Sequence, residues 1–102
     1  MPDREFEYHA EAIKEAWVAF HWYAERSETA AENFWQALRD ARQSAMERPQ
    51  VGIPYFHGTR CHRLKRYPYG LIYLERPERI VGIAVAHLKR RPGYWLDRLP
   101  PQ

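Results

Sequence analysis

The sequence predicts an α+β fold: a short N-terminal strand, then an antiparallel helix hairpin packed on an antiparallel sheet with three C-terminal strands. Three observations carry that reading. Apolar residues recur at three-four spacing between about residues 10 and 48, the mark of amphipathic helices. From about 60 to 87 they gather instead into short runs separated by Tyr67-Pro68-Tyr69-Gly70 and Arg76-Pro77-Glu78-Arg79, turns short enough to join antiparallel neighbours. And 102 residues is the size of one small domain, which can stabilise a core only by using nearly every apolar face.

The elements follow in order. Phe6 and Tyr8 alternate with Glu5, Glu7 and His9, which predicts one opening strand. Ile13, Trp17, Phe20 and Ala24, with Ala12, Ala16 and Tyr23 beside them, then define the stripe of a helix over about Ala10 to Arg26, with Trp17 and Phe20 read as core aromatics. Thr29 and Glu32 form a capping box that opens a second helix, whose stripe is Ala31, Phe34, Leu38, Ala41 and Ala45; Pro49 ends it. Gln50 to Thr59, with Gly52, Pro54 and Gly58, reads as a surface loop. Strands are expected over Arg60–Tyr67, Tyr69–Glu75 and Arg79–His87. The last is apolar on both faces and belongs inside the sheet, and its thin face of Gly82, Ala84 and Ala86 is where a helix would pack closely. Residues 88–102 form a basic-aromatic tail that ends in a frayed Leu99–Gln102.

Charge divides the chain. Residues 1–50 hold six Lys/Arg against ten Asp/Glu, a balance of −4, and residues 51–102 hold ten against three, a balance of +7. The C-terminal half is thus suited to a polyanion or an acidic partner, although strands also expose cations simply to protect sheet edges. Met1 is followed by Pro, Asp, Arg and Glu rather than an apolar signal segment, and no run is long enough to span a bilayer, so a cytoplasmic protein with no membrane contact is expected. One cysteine, Cys61, excludes an internal disulfide and a Cys-rich zinc site; the histidines show no ligand spacing, and no metal or cofactor is expected.

Two clusters in the basic half carry candidate chemistry. In a strand over 60–67, Arg63, Lys65 and Tyr67 share one side, and His62, Leu64 and Arg66 the other. The second cluster is His87, then Lys89, Arg90 and Arg91, then Tyr94 and Trp95. Cations beside exposed rings suit single-stranded nucleic acid, and equally an acidic protein helix. Metal-free RNA cleavage needs a base, an acid and a cation; His87, Tyr94 and Arg63 or Arg90 are the candidates for those roles.

The order of elements, with Lys65-Arg66-Tyr67-Pro68-Tyr69-Gly70-Leu71-Ile72-Tyr73 and His87-x-x-Arg90-Arg91-Pro92-x-x-Trp95, resembles the RelE/ParE superfamily of bacterial toxins. The resemblance implies a growth-inhibiting toxin neutralised by a cognate acidic antitoxin that wraps across sheet and helices. One branch of that superfamily cleaves ribosome-bound mRNA; the other inhibits DNA gyrase. The Tyr-Pro-Tyr turn and the Arg-Arg-Pro-Gly-Tyr-Trp ending look more like the gyrase-directed, plasmid-stabilisation side. Its implied target- or antitoxin-binding residues are Arg63, Lys65, Arg66, Tyr67, Tyr69, Lys89, Arg90, Arg91 and Trp95. A reading of another class is a non-toxic basic module that docks an acidic helix.

Overall fold

The computed structural model describes residues 4–100. Its elements are β1 (Glu5–Tyr8), α1 (Ala10–Ala24), α2 (Glu28–Glu47), β2 (Ile53–Pro54), β3 (Arg60–Arg63), β4 (Tyr69–Glu75) and β5 (Arg79–His87). They form one five-stranded sheet in the order β1-β5-β4-β3-β2. The three C-terminal strands pair antiparallel as expected, and β1 lies parallel to β5, which is therefore interior. Residues 50–59 do more than the expected surface loop. They supply edge strand β2, paired with Arg60 and Cys61, and Pro54 fits there because an edge position leaves its missing N–H without consequence. Tyr73 pins the approach to that strand: its hydroxyl donates to Pro49 O (2.6 Å) and accepts from Gly52 N–H (2.9 Å).

In α2 all five residues of the expected stripe are buried. Its start differs. Ser27, extended at φ −165°, accepts the Ala30 N–H at 3.2 Å, so the helix begins two residues early and Ser27, not Thr29, is its N-cap. The N–H groups of Arg26 and Ser27 both turn back to Tyr23 O, which closes the reversal between the two helices. In α1 the buried line is Ala12, Ala16 and Ala19, while Ile13 and Trp17 are 44% and 46% exposed. Trp17 is thus not a core residue. The three alanines let α1 lie directly on β5, and its larger side chains are displaced towards α2, where Trp17 and Phe20 meet Trp35 at 4.9 and 5.3 Å.

The sheet has two packed faces. One carries Ile80, Val85, Leu71 and Tyr73 against the helices; the other carries Ile72, Ile83, Ala84 and Ala86 against the C-terminal tail. A β-bulge where Ile83 has no partner, between the pairs Ile72–Ala84 and Tyr73–Gly82, shifts the alternation by one residue. The expected thin face is therefore split. Gly82 lies under the β1 rings, where a Cβ would come within 2.8 Å of Tyr8 and 2.9 Å of Phe6. Ala84 and Ala86 face the tail and Trp95 rather than a helix. Leu99, expected to fray, packs against this second cluster; Pro101 and Gln102 lie outside the described residues.

Candidate functional site

Sheet register brings the two basic clusters of the sequence to one place. β3 ends at Arg63, opposite Gly70, and β5 ends at His87, opposite Tyr69, so both clusters leave the sheet at the same end. Arg63, Lys65, Arg66, Lys89, Arg90 and Arg91 are all exposed there. Of these six, only Arg90 has an ion-pair partner among the described residues. The β3–β4 turn is tighter than the expected strand over 60–67. Leu64 N–H bonds Tyr69 O at 2.9 Å and Arg66 adopts a left-handed φ of 71°, so Lys65 and Arg66 stand at the tip of a turn rather than on strand faces.

The rings expected beside these cations are elsewhere. Tyr67 turns inward, donates its hydroxyl to Ala30 O at 2.8 Å and packs edge-on against Tyr23 and Phe34. Trp95 is 0% exposed, stacked near Tyr55 on the tail side of the sheet, which corrects its placement on the binding surface. Its indole N–H has no partner among the described residues, an electrostatic cost accepted for the apolar area the ring buries. Tyr69 is half-buried and meets Phe34 and His87 edge-on. Tyr94 is half-buried with Arg90 over its ring at 3.7 Å.

Glu15 organises what remains, and the sequence reading missed it. This α1 carboxylate accepts from the Tyr94 hydroxyl (2.6 Å), from both Arg98 guanidinium nitrogens (2.8 and 3.1 Å) and from the Val85 N–H (3.0 Å), with Arg90 3.7 Å away. Val85 lies beyond the last β1 pair, at Gly82, so its N–H points from a stretch of β5 that lacks a strand neighbour. Glu15 satisfies that group and Arg98 donates to Ile83 O at 3.1 Å, so one ion pair closes the open edge and ties the tail to the helix layer. A signal was present: Glu15 lies three residues after Ala12 and four before Ala19, a carboxylate inside the buried stripe.

These contacts limit acid-base chemistry. Burial first, then the hydrogen bond to Glu15, hold the Tyr94 phenol well above its ordinary value, so it keeps its proton. His87 Nδ1 is occupied as the acceptor of the Lys89 N–H at 3.1 Å. Arg63 stands on β3, two strands from β5. Among the described residues no three or more His, Cys, Asp or Glu side chains converge as a metal site, and no helix is long and apolar enough to cross a membrane.

A second surface lies on the helix hairpin. Ile13, Trp17, Val18 and Trp22 are exposed along α1, and a cleft of about 230 Å³ is lined by Tyr8, Ile13, Trp17, Trp35 and Leu38, with Arg39 and Arg42 at its margin. Nothing in the charge pattern of the first half singled it out.

Comparison with solved structures finds a chain of the chromosomal ParDE toxin–antitoxin system from P. aeruginosa, with a TM-score of 0.72 and 13% identity, over 85% of this chain and 98% of that one. At that identity the likeness concerns the fold. The sequence has no match among curated proteins. Residues 6–92 match the family model described as the ParE toxin of the type II toxin–antitoxin system, parDE. With most of its length matched and the helix hairpin, mixed sheet and basic sheet end in place, the chain belongs to the ParE toxin family of type II toxin–antitoxin systems.

Proposed function

We propose that this toxin acts by inhibiting DNA gyrase, and that an acidic antitoxin neutralises it. The observation that favours gyrase over ribosome-bound mRNA is the Glu15 cluster. RNA cleavage without metal needs a transferable proton and cations free to meet a phosphate. Here Tyr94 keeps its proton, and the two arginines beside it, Arg90 and Arg98, are pulled towards a carboxylate that would repel a phosphate placed at that phenol. A protein that acts by binding needs no transferable proton.

The antitoxin fits the helix cleft by its chemistry. An amphipathic acidic helix would place its apolar side against Ile13, Trp17 and Trp35 and its carboxylates on Arg39 and Arg42. The 63–66 and 89–91 cations offer further contacts to the same acidic chain.

Three measurements test these readings. Expression of the chain without a partner should arrest bacterial growth; unimpaired growth would leave the non-toxic docking module. Purified chain should block supercoiling by gyrase and leave ribosome-bound mRNA intact. Cleaved mRNA with normal supercoiling would reverse the choice of target, and loss of that cleavage in folded His87→Ala or Tyr94→Phe would then place catalysis at those residues.

A further inference from the structure

Cations gathered by the sheet register, without a fully exposed ring among them, select among polyanions. Single strands are held by aromatic side chains on which unstacked bases lie, together with cations for the phosphates. At this end of the sheet no ring stands fully exposed: Trp95 is buried, Tyr67 is partly buried against Tyr23 and Phe34, Tyr69 and His87 are half-buried and meet edge-on, and Arg90 covers one face of the half-buried Tyr94. What remains exposed is Arg63, Lys65, Arg66, Lys89 and Arg91, none of them paired among the described residues, on two adjoining chain segments. A duplex presents phosphates at close, regular spacing and hides its base faces, so it asks for cations and no stacking platform.

From this arrangement we infer that the β3–β4 turn and the segment after β5 bind the phosphate backbone of duplex DNA, independently of base sequence. The left-handed Arg66 holds the turn tip outward, and Leu88, packed into the tail-side core, fixes the base of the Lys89–Arg91 segment. The choice of DNA over duplex RNA rests on the gyrase reading; the preference for a duplex over a single strand rests on the lack of a fully exposed ring among the cations. A toxin acting on gyrase would then hold the DNA that the enzyme holds, with the helix cleft left open on another surface.

Fluorescence anisotropy of the purified chain with labelled duplex DNA, single-stranded DNA, duplex RNA and poly-glutamate tests this without gyrase. Duplex DNA should bind, more tightly than single-stranded DNA or poly-glutamate, with log affinity falling linearly with log salt at a slope of about −0.9 per phosphate contacted. The triple variant Arg63→Gln, Lys65→Gln, Arg91→Gln alters exposed side chains only, and should weaken binding roughly tenfold or more and flatten the slope by about three. Arg48→Gln with Arg76→Gln, away from this end of the sheet, should leave it unchanged. Absent binding, tighter binding to single strands, to duplex RNA or to poly-glutamate, or a triple variant that binds as well as the parent would each overturn the inference. A chain that binds duplex DNA but leaves gyrase active refutes the target reading alone, and a gyrase inhibitor indifferent to DNA refutes this inference alone.

Discussion

The helix cleft and the basic end of the sheet are both exposed, yet they are built on opposite principles. The cleft displays large apolar groups, Ile13, Trp17 and Trp35, with two arginines at its margin; the sheet end displays cations with its aromatic groups partly or fully buried. Apolar area gives affinity only to a partner shaped to cover it, whereas clustered charge attracts any polyanion and weakens with salt. On the proposed reading the difference matches a protein partner to the cleft and an extended anion to the sheet end. It also separates what each depends on, because the cleft is carried by the hairpin and half of the sheet end by the Trp95-anchored tail.

That separation can be broken most forcefully at the tail. Trp95→Ala should destabilise the fold by about 3–5 kcal/mol in urea unfolding, since it empties the centre of the tail-side cluster. Glu15→Gln should come next. It leaves Arg98, whose side chain is 12% exposed, without its carboxylate, and loss of one partner of a buried ion pair typically removes about 3–5 kcal/mol, reduced here by residual solvent access. If Glu15→Gln melts like the parent, the closing of the β5 edge by this pair is wrong. On the helix surface, Trp17→Ala should weaken antitoxin binding by about 2 kcal/mol, the scale of an interface hot spot, with little change in stability. A larger loss from Arg63→Glu with Arg90→Glu than from Trp17→Ala would move the antitoxin to the sheet end. The smallest effect is alkaline. Burial pushes Tyr8 up to about 12, with Arg42 opposing, so its contribution is intact below pH ~10 and is lost as pH rises through that value. Melting temperature should fall between pH 10 and 12, and Tyr8→Phe should flatten that fall.

Periodicity made the hairpin legible, and the α2 stripe from Ala31 to Ala45 is buried residue for residue. The same method chose the wrong line on α1, because it weighted Trp17 and Ile13 by hydrophobicity when proximity to β5 demanded the small Ala12, Ala16 and Ala19. The basic clusters were visible as runs of charge, but their union at one sheet end follows from register, which no single segment encodes. The inward turn of Tyr67 depends on a carbonyl 37 residues away, of which local pattern carries no trace; the place of Glu15 in the alanine stripe marked it as unusual, but its partners lie 70 to 83 residues distant.

The unpaired Ile83 has a consequence for how the chain tolerates change. It places two consecutive side chains, Ile83 and Ala84, on the tail face, while Gly82 before them and Val85 after them both face the helix layer. Deletion of Ile83 would therefore leave Gly82 opposite Tyr73 and Ala84 opposite Ile72 in a regular ladder, with Val85 still under the helices and Ala86 still against the tail. The bulge is a spare residue: its loss empties one buried position on the tail face and leaves the phase of both faces intact.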